Sequence, residues 1–351
     1  METVLIKLDE DKYRIEDLQP AVSVLKKGGL VAFPTETVYG LGGNALDGEA
    51  SQKIYRAKGR PSDNPLIVHI ANVKDMEDLA RDIPDKAYQL AKVFWPGPLT
   101  IILKKKDKLP MSTTGGLDTV GIRLPANRVA RDLIGYSGIH IAAPSANISG
   151  KPSPTEAHHV YHDLAGKIDM IIDGGKATLG LESTIVDLTT EEAVILRPGS
   201  ITKEMLENVI GQIDYDSVIL SKELDESLVP KAPGMKYKHY APEGKLVIYE
   251  GEPSKVISTI NNKVNEIIEK GAKVGIIATE ETKDLYSNGI VKAVGTRKDE
   301  TTIAAGLYSV LREFDELHVD YIFSESFPEE GLGQAIMNRL LKAAGYHLVT
   351  V

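Results

Sequence analysis

Lys58 and Arg60 stand one residue apart in Lys58-Gly59-Arg60-Pro61-Ser62-Asp63-Asn64-Pro65, just ahead of the apolar run Leu66-Ile67-Val68-His69-Ile70. The glycine lets backbone approach a ligand closely, and each proline holds its predecessor extended. The two cations are therefore expected to splay from a stiff loop at one strand end, where an anion with several oxygens fits. Taken alone, such a pair reads as a solvated turn; its weight comes from the rest of the chain. Ala143-Pro144-Ser145-Ala146-Asn147-Ile148-Ser149-Gly150-Lys151-Pro152-Ser153-Pro154 gathers hydroxyl and amide groups into a rigid loop, although serine and asparagine also favour turns for local reasons. Arg123 lies on the polar side of the strand Thr119–Leu124, and arginine is the side chain best suited to grip a carboxylate with two hydrogen bonds. Arg197 precedes Pro198-Gly199-Ser200 and a helix expected over about 202–210, so an anion beside it also meets a helix N-terminus. Pro34-Thr35-Glu36-Thr37-Val38-Tyr39-Gly40-Leu41-Gly42-Gly43 is polar and glycine-rich at a strand end, the usual place for a ligand in an α/β sheet. Cations with neutral hydrogen-bonding groups suit a nucleoside triphosphate beside a small polar substrate. Such a reaction would be driven by positioning and charge neutralisation rather than by a protein nucleophile.

Several other chemistries are excluded or disfavoured. There is no G-x-x-x-x-G-K-[ST] phosphate loop, no G-x-S-x-G elbow and no metal-spaced His/Glu set. Gly40-x-Gly42-x-x-Ala45 resembles a dinucleotide fingerprint, but its glycines follow the strand too late. His69, His140, His158, His159, His162 and His239 are scattered and read mostly as surface or structural. The absence of cysteine among 351 residues removes disulfides, thiolate zinc sites and cysteine nucleophiles. A net charge of -9 argues against coating nucleic acid by bulk charge. The N-terminus lacks a signal-peptide pattern and no run approaches a membrane span, so a cytoplasmic, membrane-free protein is expected.

The elements that must position these residues divide into two sets. The length favours two domains. Residues 1–213 are expected to form the first, 214–245 a linker or lid, and 246–351 the second. In the first, helical spacing at Ile15, Leu18, Val22 and Leu25 stops at Gly28-Gly29, and Leu30–Phe33 is a buried strand. A helix over about 49–57, strand 66–70, helical periodicity over 72–94 and strand 99–103 follow. Lys104-Lys105-Lys106 then reads as a solvated edge guard. Further strands are expected in 182–187 and in 194–200, each with a polar group at one end. Between 229 and 245, four lysines face one glutamate. That composition suits either a solvated connector or a lid over a polyanion. Beyond 246, strand alternates with helix, the mark of a small doubly wound parallel sheet. No catalytic cluster is expected there, and Gly331-Leu332-Gly333-Gln334 only starts a helix.

The chain also resembles a known family, the threonylcarbamoyl-AMP synthases of the YrdC-like fold, in their long two-domain form. The residues that carry it are Pro34-Thr35-Glu36-Thr37, Tyr39-Gly40-Leu41, Lys58-x-Arg60-Pro61, Asn64-Pro65-Leu66, Trp95-Pro96-Gly97-Pro98-Leu99-Thr100 and Arg123-x-Pro125. They continue with Ala143-Pro144-Ser145-Ala146-Asn147-x-Ser149-Gly150, Ser183-Thr184, Arg197-Pro198-Gly199 and Pro233-Gly234-x-x-Tyr237-x-His239-Tyr240-Ala241-Pro242. The resemblance implies an α/β fold: an N-terminal YrdC-like twisted mixed sheet with helices, then a small C-terminal Rossmann-like parallel sheet. It implies that ATP, L-threonine and bicarbonate give threonylcarbamoyl-AMP and pyrophosphate. The product would feed a downstream tRNA threonylcarbamoyl transferase complex that modifies tRNAs reading codons that begin with A. ATP would be held by Lys58, Arg60, Asn64, Thr119, Ser145, Asn147, Ser153, Arg197 and Tyr240, with Lys58, Arg60, Ser145 and Asn147 at the chemistry. Threonine would be held by Thr35, His69, Arg123, Ser183 and the backbone at Ala143. Mg²⁺ would accompany ATP, with no organic cofactor, and Tyr240 and Tyr237 would close the linker over the nucleotide. Two alternatives weighed against this are a double-stranded-RNA-binding protein and a carbamoyltransferase sharing the domain, such as those of hydrogenase maturation.

Overall fold

The computed structural model describes residues 2–220, 230–233, 235 and 239–351. It divides into two compact units, Met1–Ser149 with Ser153–Thr178 and Glu182–Tyr237, and Lys238–Val351 with Gly150–Pro152 and Leu179–Leu181.

The first unit is built on strands β1 (Val4–Lys7), β2 (Val31–Phe33), β3 (Gly40–Asn44), β4 (Ile67–His69), β5 (Ala80–Arg81), β6 (Leu99–Lys105), β7 (Thr119–Arg123), β8 (Ile141–Ala143), β9 (Met170–Asp173), β10 (Thr184–Asp187), β11 (Val194–Arg197) and β12 (Asp214–Tyr215). They form one mixed sheet in the order β1-β9-β2-β3-β8-β4-β7-β6-β10-β11-β12, with β5 pairing β6. Its helices are α1 (Gln19–Lys26), α2 (Gly48–Lys58), α3 (Asp75–Leu79), α4 (Asp85–Phe94), α5 (Arg128–Ser137), α6 (Ala157–Leu164), α7 (Lys203–Ile210) and α8 (Ser217–Leu220).

The alternation of side chains along the strands decides where a ligand can sit. Ala32, Leu41, Val68, Ile101, Val120, Ile122, Ala142 and Val186 face a core closed by α2, α3, α4, α6 and α7. On the opposite face, Val31, Phe33, Ile141 and Ala143 are covered by α1 and α5. Farther along that face, Ile67, Ile102, Ile185 and Leu196, with Val194 beside them, pack against Ala232 and Met235 of the connecting segment. Among the described residues no helix covers this half.

Several elements differ from expectation. The helical stretch over 72–94 is two helices, because Asp82 takes φ +52° and Pro84 starts α4 afresh. The glycine-rich run after Pro34 contains a strand, β3. There a Cβ on Gly42 would stand 2.5 Å from Ile141 Cγ2 and 2.8 Å from Phe33 Cε1, so only glycine lets the Phe33 ring cross it. Lys58 is the last residue of α2, not a loop residue: Asp47 caps the helix start and Gly59, at φ +61°, ends it. Lys104 and Lys105 belong to β6, and Lys105 is buried with its ammonium on the Leu109 carbonyl. The solvated-guard reading therefore fails for Lys105. Thr184, not Glu182, opens β10. No element was expected at α5, although Asn127 caps it and Val129, Ala130, Leu133 and Ile134 form its buried stripe.

The second unit has β13 (Lys245–Glu250), β14 (Val274–Ala278), β15 (Ile290–Ala293), β16 (Tyr321–Glu325) and β17 (Leu348–Thr350), with α9 (Pro253–Ile268), α10 (Glu300–Glu316) and α11 (Gly331–Ala343). Every pairing is parallel and the order is β15-β14-β16-β13-β17. The alternating strand and helix pattern is thus realised as a small parallel sheet, and α11 does begin at Gly331. Only β17 had no counterpart in the sequence reading.

Candidate active site

The half-face that no described helix covers carries Thr119, His69, Arg123 and Arg197 among the residues singled out by sequence. In register, Ile67 pairs with Gly121 and His69 with Arg123, while Ile102 pairs with Gly121, Thr100 with Ile185 and Ile185 with Arg197. These positions share one side of the sheet with Thr119, which lines a small cavity there with Ile67, Thr100, Ile102, Gly121, Ile185, Lys231 and Pro233. His69, Arg123, Ala143 and Arg197 are the last residues of β4, β7, β8 and β11, in line with the expected strand-end placement, and the paired positions also share one sheet face.

At one margin, Lys58 is 1% exposed and donates to the Ser145 carbonyl at 2.5 Å and to the Asn147 carbonyl. Asn147 Oδ1 lies 3.4 Å away and accepts from Ser145 Oγ at 2.6 Å. The Ser149 N–H returns to the Lys58 carbonyl. Three candidate residues are thus in mutual contact, but Lys58 is turned onto the loop rather than splayed from it. Arg60 folds back, its Nε donating to the Asn64 carbonyl and its Nη2 to the Pro65 carbonyl. Asn64 Oδ1 is buried without a hydrogen-bond partner, an acceptor that a ligand donor would satisfy.

In the middle, Arg123 and Glu36 form a buried ion pair of 2.7 Å. Arg123 Nη1 donates to Thr37 Oγ1 at 2.9 Å, and Thr37 in turn bonds Thr35 Oγ1 at 2.8 Å. Burial works to raise the Glu36 pKa, but the Arg123 charge and hydrogen bond, helped by the Ala126 backbone, hold it below the ordinary value. His69 is driven down to about 3, first by burial and then by Arg123, so its ring is neutral near pH 7. It stands edge-on to Phe33, ring centres 6.0 Å apart. The Ala143 backbone lies beside Ile67.

At the far margin, Arg197 anchors on Ser183 twice, Nε to the carbonyl at 3.0 Å and Nη2 to Oγ at 3.1 Å. Its Nη1 reaches the Pro233 carbonyl at 3.3 Å, so the connecting segment lies on this cation. Thr202 caps the start of α7 with its own side chain. Ser153 donates to Glu182 at 2.5 Å.

Tyr240 lies in the second unit, buried at φ +63°, stacked on Tyr308 at 5.2 Å with the Arg339 guanidinium over its ring. Tyr237 lies outside the described residues. The sequence reading gave no role to Glu36, Thr37 or Thr100, and all three touch the candidate residues. Each stood inside a quoted motif, yet only the folded register shows which side it faces. A polar cluster was also missed in the second unit. Glu325, at the end of β16, is buried and accepts from Thr282, from Tyr286 at 2.8 Å and from Arg297 at 2.7 Å.

A family profile described as telomere recombination matches residues 23–199, and one described as threonylcarbamoyl-AMP synthase, C-terminal domain, matches 201–345. The threonylcarbamoyl-AMP synthase of Bacillus subtilis is 51% identical over 342 residues, 97% of this chain and 96% of its own. The structure of Pyrococcus abyssi Sua5 complexed with L-threonine superposes with a TM-score of 0.94 at 48% identity, over 99% of this chain and 100% of that one. That of Escherichia coli YciO gives 0.50 at 25% identity, over 56% and 94%. The twisted mixed sheet with its open half-face is the framework of an α/β transferase with the YrdC-like fold, an enzyme of nucleotidyltransferase type. With both profiles in sequence and a near full-length relative of this identity, the chain belongs to the threonylcarbamoyl-AMP synthase family.

Proposed function

We propose that the chain converts ATP, L-threonine and bicarbonate into threonylcarbamoyl-AMP and pyrophosphate. The observation that carries this is the half-face that no described helix covers. Arg123 and neutral His69 lie on adjoining strands there, Arg197 and Ser183 are hydrogen-bonded to each other, and the Lys58-Ser145-Asn147 cluster follows β8, which pairs with β4. The L-threonine complex of the 48% identical P. abyssi protein supports the amino-acid half.

Threonine's carboxylate is placed at Arg123, whose orientation Glu36 and Thr37 fix. Neutral His69 offers a hydrogen bond without a competing charge. Bicarbonate takes up the proton that the threonine nitrogen gives up and yields carbon dioxide and water. The threonine nitrogen forms the new N–C bond, losing a proton, and the resulting carbamate oxygen attacks the α-phosphorus as the bond to pyrophosphate breaks. Arg197, Arg60 and Lys58 are the cations for phosphate charge, and Thr119, Ser145, Asn147, Asn64 and Ser153 the neutral hydrogen-bonding groups. Entry of ATP requires Arg197 to exchange the Pro233 carbonyl for phosphate.

Among the described residues no group of three His, Asp or Glu could hold a metal. A Mg²⁺ carried in on the triphosphate would neutralise charge there. The product, a carbamoyl-adenylate, is consumed by a downstream tRNA threonylcarbamoyl transferase complex, and the setting is cytoplasmic. No helix among the described residues is long and apolar enough to cross a membrane. The double-stranded-RNA alternative gains nothing from the lysine run. Lys104 and Lys108 pair with Asp82 and Asp78, and Lys106 bonds the Glu77 carbonyl.

The test is pyrophosphate release from ATP with each proteinogenic amino acid, with and without bicarbonate. Turnover that needs both threonine and bicarbonate is expected. Release indifferent to either one overturns the reading.

A further inference from the structure

Thr100 belongs to none of the groups assigned above to ATP or threonine, yet it is fully buried beneath them. Its Oγ1 is 2.7 Å from Ser183 Oγ. That same oxygen accepts from Arg197 Nη2, while Arg197 Nε holds the Ser183 carbonyl. Among the described residues neither hydroxyl has another hydrogen-bond partner. Strand pairing fixes the geometry, since Thr100 stands opposite Ile185 and Ser183 lies two residues before it on the same side.

A guanidinium can only donate, so the arginine-facing lone pair of Ser183 is filled. One hydrogen is shared between the two hydroxyls. If Thr100 donates it, Ser183 accepts twice and keeps its own hydrogen for a ligand on the sheet side that Thr100 shares with Arg123. We propose that Thr100 is a positioning residue. It sets Ser183 as a donor to threonine and, through Ser183, ties threonine binding to the orientation of Arg197 and hence to ATP. Threonine then strengthens the Ser183–Arg197 contact, because a hydroxyl that donates to an anion becomes a better acceptor. The two substrates bind with positive coupling, and linkage requires the effect to be reciprocal. This inference rests on the assignment of threonine and ATP to this face.

Thr100→Val isolates the hydroxyl, because it keeps the methyl group that lies against Gly121. Calorimetry would measure threonine affinity with and without a non-hydrolysable ATP analogue, in wild type and variant. In wild type the analogue is expected to tighten threonine binding at least fivefold. Thr100→Val should weaken threonine alone roughly threefold to tenfold, the range of one hydrogen bond, and should bring the coupling factor close to one. Thr100→Ser, which keeps the hydroxyl, should restore the coupling. If Thr100→Val does not fold, Thr100→Ala is compared with Thr100→Ser, since both lack the methyl and differ only in the hydroxyl. Coupling of wild-type size in the hydroxyl-free variant, or no coupling in wild type, overturns the role of Thr100. Failure of wild type to bind threonine at all overturns the assignment of the face instead.

Discussion

Glu36 is the sharpest place to test the architecture of the face. Its carboxylate meets Arg123 at 2.7 Å, with side chains 10% and 5% exposed. At that distance the attraction is about 6 kcal/mol for an effective dielectric of 20, much of it offset by desolvation of both ions. Glu36→Gln keeps the volume but leaves the arginine buried without its counter-charge, a change that costs about 3–5 kcal/mol. Trp95, the only tryptophan, is buried in the first unit, so its fluorescence in a urea titration reports on this unit. We expect the Trp95 transition to move to lower urea by that free energy. The Michaelis constant for threonine should also rise more than tenfold, because Arg123 loses its fixed orientation. Glu36→Gln/Arg123→Met removes both charges and should recover part of the stability while remaining inactive. If the single variant loses less than about 1 kcal/mol and keeps its threonine constant, the pair is an incidental contact and the reasoning fails.

Acid should expose His69. Its folded pKa of about 3 lies below the ordinary 6.5 of an unfolded histidine, so the unfolded chain takes up the proton first. Its contribution to stability is therefore complete above pH 6.5 and is lost as pH falls toward 3, about 2 kcal/mol of it by pH 5. His69→Asn should flatten the slope between pH 6.5 and 5 in urea titrations, and an unchanged slope would contradict it. Lys58→Met leaves two loop carbonyls without their donor, so pyrophosphate release should vanish and stability fall by about 1–3 kcal/mol. Variant activity near that of wild type would remove Lys58 from the site. Gly42→Ala puts a methyl group into Ile141 and Phe33, and a loss of about 1–3 kcal/mol is expected from overpacking. A neutral thermal shift would mean that the Phe33 ring can move aside.

What could be read from sequence was chemistry, and what could not was direction. The cations, hydroxyls and amides were legible because residue type states what a side chain can donate or accept. Their neighbourhood was not, because it depends on register. Arg123 shares a face with Ile67 and His69 only because β4 and β7 pair in parallel at those residues, a contact between positions more than fifty apart. The site was expected at strand ends because each candidate follows a short apolar run, a signal that marks where strands stop and not which face is left open. The open face comes from a difference in packing. α1 and α5 cover one half of that side, and among the described residues no helix covers the other, where Ala232 and Met235 pack instead; local periodicity does not report which of these a strand will meet. Lys58 shows the same limit at the scale of one side chain. Its charge and the glycine after it were plain in the sequence. That glycine, read as freedom for a loop, instead ends a helix whose last turn directs the ammonium inward onto the loop at Ser145.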